Sequence, residues 1–214
     1  GLVPIVAIHV GLFIAIQAEV IPPCFPYIDG CASISATGRY EPASFLFKAA
    51  MMTEWVLMSL YWLACIGWLR GLAEAAGRGP FSGRAIGFFG IVGAMSLIIY
   101  VTFLGSNVPF YEFMRRFGVY LYFLFTVIAQ ILLARASLSL ADQLGMGRVS
   151  RISRWQLGLA LVPFALGALN LILKAALTDA DAAENIIEWI FALLMHCYFL
   201  LSYCFVRETR FAMH

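Results

Sequence analysis

The stretch that decides the fold is residues 21–48, IPPCFPYIDGCASISATGRYEPASFLFK, which interrupts an otherwise strongly apolar chain. It contains four of the eight prolines and two of the five cysteines, together with the small hydroxyl residues Ser33, Ser35 and Thr37. On both sides the chain consists of long apolar runs joined by shorter polar links. We therefore predict a structured loop between the first and second of several membrane-spanning helices.

The composition is that of an integral membrane protein. Hydrophobic residues make up 63% and charged residues 12% of the 214 residues, whereas soluble domains have about 45–50% and about 25%. The net charge of +2 is too small to indicate a nucleic-acid-binding surface. The length is that of one domain, so residues 1–214 are expected to form a single transmembrane unit.

Six apolar runs are long enough to cross a membrane, which takes about 20 mostly apolar residues. Each must be helical, because backbone polar groups within lipid need hydrogen-bond partners inside the chain. The runs are continuous rather than alternating with a period of two, which excludes a β-barrel. The predicted fold is therefore all-α, an integral membrane bundle of six transmembrane helices. The predicted spans are 2–20, 43–69, 85–104, 117–136, 156–176 and 186–206.

Basic residues predict the orientation of this bundle, because cytoplasmic links carry an excess of Lys and Arg. If both termini lie on one side, that side holds nine of the 14 Lys and Arg residues and the other side holds five. We therefore expect both termini to be cytoplasmic. The loop between helices one and two then faces the periplasm, a lumen or the exterior.

Cys24 and Cys31 lie within that loop. An oxidising compartment would allow them to form a disulfide, and Gly30 and the nearby prolines permit the bend that it requires; the alternative is two free thiols. The remaining cysteines fall within helices and are interpreted as small packing residues. No CxxC pair occurs, so neither a metal site nor a cofactor is expected.

Glu54 and His196 are the ionisable residues predicted to lie near the middle of a span. Such residues are costly in lipid and usually face the bundle interior or a wet cavity. They are candidates for proton transfer if the protein is an enzyme. The alternative is structural: a carboxyl group hydrogen-bonded to a neighbouring helix, and a histidine that fills the interior.

Several polar and charged residues near the loop side are candidates for binding a lipid headgroup. The hydroxyl groups supply donors and acceptors, and Arg39 is a cation that can hold phosphate through two hydrogen bonds. Arg115 and Arg116, together with Glu112, form a charged cluster that could also bind an anionic headgroup. The alternatives are helix caps and interfacial ion pairs that contribute little. The candidates are Ser35, Thr37, Arg39, Lys48, Lys174 and Glu188.

The loop also carries a family resemblance. Pro26-Tyr27-Ile28, the small-residue turn Ser33–Gly38, and Glu41–Ser44 followed by Phe47 resemble the first luminal loop of the Frag1/DRAM/Sfk1 family. The resemblance implies a six-helix membrane protein with inside termini. The roles in that family include remodelling of the lipid part of GPI anchors, control of plasma-membrane lipid asymmetry and autophagy-linked functions. All of these roles concern membranes.

The resemblance is specific in sequence only over Pro26–Phe47. Two departures indicate a distant, bacterial-type member: the insert Asp29–Ala32 before the turn, and Glu41 before Pro42. Later spans match only by residue type. These matching residues are Glu112, Tyr120, Tyr122, Glu188 and His196.

Two functions are compatible with these features. The first is a non-enzymatic protein that binds or organises membrane lipid, or serves as an accessory subunit of a membrane assembly. The alternative is a lipid-remodelling enzyme that transfers or hydrolyses an acyl group, with Glu54 and His196 moving protons and Arg39 or Lys48 holding the headgroup. A transporter is less favoured, because no internal repeat or pair of broken helices is evident. The expected partners are membrane lipids and other membrane subunits, with no nucleic acid.

Overall fold

A computed structural model of the chain describes residues 1–176 and 179–209. Within these residues the chain forms only α-helices and irregular links, in agreement with the all-α prediction. The helices are α1 (Leu2–Gln17), α2 (Pro26–Asp29), α3 (Ile34–Thr37), α4 (Ala43–Ala75), α5 (Arg84–Thr102), α6 (Pro109–Gln143), α7 (Gly147–Ala176) and α8 (Asp181–Glu208).

Five of these helices, α4 to α8, are long and apolar enough to cross a membrane. Helix α1 is apolar but only 16 residues long, or about 24 Å, whereas the hydrocarbon core of a bilayer is about 30 Å thick. The structure therefore supports a membrane protein with five long apolar helices. A sixth span at α1 stays a prediction.

Most of the predicted link at 137–155, between the fourth and fifth predicted spans, is helical. Helix α6 extends to Gln143 and α7 begins at Gly147. Ser137, Leu140 and Val149 within this region are buried. The side chains on the inner face therefore keep α6 and α7 packed together beyond the apolar spans, although the outer face is polar.

The long helices alternate in direction, so the links gather at two ends of the bundle. Residues 18–42, between α1 and α4, lie at one end, with the starts of α4, α6 and α8. We call this the loop end. At the opposite end the indole nitrogen of Trp68 donates to the hydroxyl of Thr209, 3.1 Å away, which joins the end of α8 to α4.

Large aromatic side chains and a few hydrogen bonds hold the bundle together. Trp62, Trp189 and Tyr198 are fully buried. At mid-bundle the amide nitrogen of Gln130 on α6 donates to the carbonyl of Met195 on α8, and the Tyr198 hydroxyl donates back to the carbonyl of Gln130. Such interhelical hydrogen bonds matter in lipid, where apolar burial does not favour one helix contact over another. They join α6 and α8 at this height.

Gly118 brings α5 and α6 into close contact. A Cβ atom at this position would lie 2.6 Å from the backbone nitrogen of Tyr100 on α5. Small residues at helix contacts allow such approach in membrane bundles. The contact between α5 and α6 is the most extensive in the bundle.

The loop between α1 and α4 is packed onto α8. The amide of Asn185 donates to the carbonyl of Gly30, and the indole of Trp189 donates to the carbonyl of Ala32, each at 2.8 Å. The Tyr27 hydroxyl lies 3.0 Å from Nε2 of His9 on α1, and burial raises the pKa of Tyr27 above its usual value, so the hydroxyl stays protonated. The predicted disulfide between Cys24 and Cys31 is present.

We expect the Cys24→Ser, Cys31→Ser double variant to be less stable by about 2 kcal/mol, because the disulfide closes a short loop in the unfolded chain. The midpoint of thermal unfolding in detergent measures this, with Cys204→Ser, an exposed free cysteine, as the matched control. Alkylation after denaturation should label three thiols in the unreduced protein and five after reduction. Five labelled thiols without reduction would contradict the disulfide.

Candidate functional site

A cleft of about 1070 Å³ lies at the loop end, between α6, α7 and α8. The segment that includes α3 forms part of its lining through Ser33, Ser35 and Arg39. Helices α6 and α8 are joined lower down, at Gln130, and the cleft occupies the space between them above that junction. The cleft therefore lies where the loop and α7 bridge α6 and α8 above the hydrogen bonds at Gln130.

Four cationic side chains line this cleft. Arg115 and Arg116 come from α6, Arg39 from the residues after α3, and Lys174 from α7. The Lys174 ammonium is paired with the carboxylate of Glu184 on α8 at 2.7 Å. Within the described part of the chain, no carboxylate oxygen lies within 4.0 Å of the other three cations. Three guanidinium groups in one cleft thus have no ion-pair partner among the described residues.

The acidic side chains of the cleft come from α8. They are Asp181, Glu184 and Glu188. The side chain of Glu188 is half-buried and lines the cleft together with Ser33 and Ser35 of the loop. Glu188 therefore faces the cleft near the junction between α8 and the loop.

The deeper part of the cleft is apolar. Phe123 on α6 and Phe191 on α8 meet edge to face with ring centroids 4.8 Å apart, and both line the cleft. From Arg115 to Val127 the α6 side of the cleft spans 12 residues, or about 18 Å. Pro163 and Gly167 line the α7 side. A charged mouth therefore leads into an apolar groove.

A second, smaller cavity of about 40 Å³ lies next to this cleft and shares lining residues with it. Its lining includes His196, Glu188, Tyr100 and Tyr122. The Nδ1 atom of His196 contacts the carbonyl of Ala192 at 2.5 Å, and Nε2 has no hydrogen-bond partner among the described residues. The volume is sufficient for a water molecule. Glu188 lines both the cleft and this cavity.

The structure does not place Glu54 with His196 in either cavity. Glu54 is 1% exposed and lines neither of them. Its Oε1 atom lies 3.6 Å from the backbone nitrogen of Gly1. Both side chains are buried in the bundle interior, as expected for ionisable residues within spans, but the carboxyl group nearest to the His196 cavity is Glu188.

Four of the six predicted headgroup residues line the cleft: Ser35, Arg39, Lys174 and Glu188. The other two lie elsewhere. Thr37 is fully buried and its hydroxyl donates to the carbonyl of Ile34 at 2.7 Å, and Lys48 on α4 is half-buried outside the lining.

Sequence reasoning missed the aromatic contact of Phe123 with Phe191 and the docking role of Asn185. No pattern in the chain marks these residues, because each acts across two helices that are distant in sequence. In the sequence, the pair Arg115-Arg116 at the start of an apolar run indicated the cations that line the α6 side of the cleft. Among the described residues, no group of three or more His, Cys, Asp or Glu side chains is placed to hold a metal ion.

These features define a multi-helix membrane protein with a charged cleft at one end of its bundle. The model of the Frag1/DRAM/Sfk1/Cwh43P N-terminal domain family matches residues 1–204 of the 214. The chain therefore belongs to this family, and the resemblance carried by the loop is confirmed. No curated protein and no solved structure matches the chain.

Proposed function

We propose that this protein binds a membrane phospholipid in the cleft between α6, α7 and α8, and acts as a lipid-binding or membrane-organising protein rather than an enzyme. The observation that carries the proposal is the cluster of Arg39, Arg115 and Arg116 at the mouth of an apolar groove, three guanidinium groups that have no carboxylate partner in the part of the chain that the structure describes. Guanidinium groups bind phosphate through paired, charge-assisted hydrogen bonds. A phosphate at this point would offset their mutual repulsion.

The dimensions of the cleft also suit a lipid. Its volume of about 1070 Å³ exceeds that of most small-molecule sites, which run from about 300 to 1,000 Å³. The α6 wall from Arg115 to Val127 is about 18 Å long, or about three fifths of the roughly 30 Å hydrocarbon core. A phospholipid with its phosphate at the arginines would thus place at least one acyl chain along Phe123 and Val127.

The expected orientation places this lipid in the non-cytoplasmic leaflet. Among the described residues the loop end holds five Lys and Arg residues and the opposite end eight, so the positive-inside rule favours a cytoplasmic location for the opposite end. A lipid in the cleft would then come from the leaflet that faces the periplasm, lumen or exterior.

The remodelling alternative gains no support from its two candidate residues. Glu54 and His196 do not line a common cavity, and a proton relay needs its groups within hydrogen-bond reach or one water apart. An accessory subunit without its own ligand is the function that would remain if the cleft holds no lipid.

The proposal is tested by native mass spectrometry of the purified protein with gently co-extracted lipid. We expect the wild type to retain a phospholipid, and Arg39→Ala to bind it about tenfold more weakly, because a charge-assisted hydrogen bond contributes about 1.5–3 kcal/mol. Arg151→Ala removes an exposed arginine at the opposite end and should retain the wild-type amount. Loss of lipid in both variants, or no lipid in the wild type, would contradict the proposal.

A further inference from the structure

The positively and the negatively charged side chains of α6 and α8 lie on different walls of the cleft. The cations Arg115 and Arg116 lie on α6, and the carboxylates Asp181 and Glu188 lie on α8. No oppositely charged atoms of these four side chains come within 4.0 Å of each other. Lys174 and Glu184 form the one ion pair found among the described residues of the lining. The cleft therefore has a positive wall and a negative wall with space between them.

Arg115 and Glu188 lie at similar depths. Arg115 is six residues, or about 9 Å, from the loop-end start of α6, and Glu188 is seven residues, or about 10 Å, from the start of α8. Opposite charges at one depth attract each other, but the charged groups of these two side chains lie more than 4.0 Å apart. A ligand with a negative and a positive group side by side would contact both walls at once.

We propose that the cleft prefers a phospholipid headgroup that carries a primary ammonium group beside its phosphate. This inference rests on the proposed lipid-binding function and adds the class of headgroup. The phosphate contacts the guanidinium groups of α6 and Arg39, and the ammonium group contacts Glu188. A headgroup with phosphate alone would leave the α8 carboxylates facing additional negative charge.

The acceptors in the cleft favour an ammonium with N–H groups over a quaternary one. Glu188 offers carboxylate oxygens, and the buried Oδ1 atom of Asn170, which also lines the cleft, has no hydrogen-bond partner among the described residues. A primary ammonium has three N–H donors for such acceptors. A quaternary ammonium has none and is bound instead by cages of aromatic rings. The aromatic residues of the lining include Phe123 and Phe191, which pack against each other at the apolar floor.

The test is a competition measured by native mass spectrometry with three dioleoyl phospholipids at equal concentration, bearing ethanolamine, choline or glycerol headgroups. We expect the wild type to retain the ethanolamine lipid about tenfold over each of the others, as for one charge-assisted contact. Glu188→Gln should remove the preference for the ethanolamine lipid over the glycerol lipid. Arg39→Ala should weaken the binding of both the ethanolamine lipid and the glycerol lipid. Asp142→Asn, near the opposite end of α6, is the control and should keep the wild-type ratios.

The outcomes separate this inference from the function on which it rests. Equal or stronger retention of the glycerol lipid by the wild type overturns the headgroup preference and leaves lipid binding intact. Equal retention of the choline lipid overturns the role of the N–H donors. No retention of any of the three lipids overturns both proposals. If Glu188→Gln fails to fold, the lipid ratios of the wild type decide whether the headgroup preference exists. Asp181 is exposed, so Asp181→Asn should then reduce the preference for ethanolamine without unfolding the protein.

Discussion

The Arg115→Gln, Arg116→Gln double variant is expected to bind phospholipid about a hundredfold more weakly than the wild type. The change removes two of the three guanidinium groups that lack a carboxylate partner in the cleft. A loss of about 3 kcal/mol, at the lower end for two charge-assisted hydrogen bonds, corresponds to that factor. Titration of dioleoyl phospholipid into delipidated protein, followed by native mass spectrometry, measures the affinity.

Two further double variants show whether the positive charge of Arg115 and Arg116 alone accounts for the lipid affinity. Arg151→Gln, Arg154→Gln removes the same charge from the opposite end of the bundle, where both side chains are exposed, and should bind lipid as the wild type does. Arg115→Lys, Arg116→Lys keeps the charge but loses the two-point geometry of guanidinium, so we expect an intermediate affinity. Wild-type affinity in the glutamine variant would show that the phosphate is not held by α6.

Gly30→Ala is expected to lower the free energy of unfolding by about 3 kcal/mol, through backbone strain and overlap with α8. Gly30 has a φ of +59°, a left-handed conformation that glycine adopts readily. A Cβ atom here would overlap the backbone of Ala182 in the first turn of α8. The loop would have to separate from α8, which would break the hydrogen bond from Asn185 to the Gly30 carbonyl.

The same variant should also bind lipid more weakly, because the loop positions Ser35 and Arg39 in the cleft. Gly79→Ala is the control, since a Cβ atom at Gly79 meets nothing within 4 Å. Thermal unfolding in detergent gives the stability and native mass spectrometry gives the bound lipid. An unchanged unfolding midpoint for Gly30→Ala would mean that the loop does not pack on α8 as described.

The long helices were predictable from the sequence because apolar runs of their length have few alternatives in a membrane. Their ends were less predictable. The fourth span was predicted to end at residue 136, and helix α6 continues beyond it to Gln143, with Ser137, Leu140 and Ala141 still facing the bundle. A hydropathy pattern registers the polar outer face of such a segment and misses the buried inner face.

The candidate site was predictable in its parts and not in its assembly. Arg39, Lys174 and Glu188 were identified because charged residues at the ends of apolar helices lie at headgroup height. Their convergence in one cleft depends on α6, α7 and α8 being neighbours at the loop end, which no local pattern encodes. Thr37 shows the opposite case. Its hydroxyl is engaged by the carbonyl of Ile34 within α3, a local hydrogen bond that small hydroxyl residues often make.

The position of His196 also depended on helix packing. The spacing of eight residues between Glu188 and His196 predicts that both can line one cavity without direct contact, and both line the cavity of about 40 Å³. The sequence favoured Glu54 as the partner because it is predicted at the same depth of the membrane. The depth of a residue in the membrane follows from its position along a helix. The direction in which its side chain faces depends on how the neighbouring helices pack.

The most direct test of the central claim is to locate the bound lipid in the protein by photocrosslinking. A phospholipid with a diazirine in one acyl chain is bound to delipidated protein at a one-to-one ratio, irradiated, and the modified peptides are identified by mass spectrometry. We predict labelling at Phe123, Leu124 and Phe191 inside the cleft, and loss of this labelling in Arg115→Gln, Arg116→Gln. Labelling confined to exposed side chains of α4 such as Leu60 and Leu63, unchanged in that variant, would contradict a lipid site in the cleft.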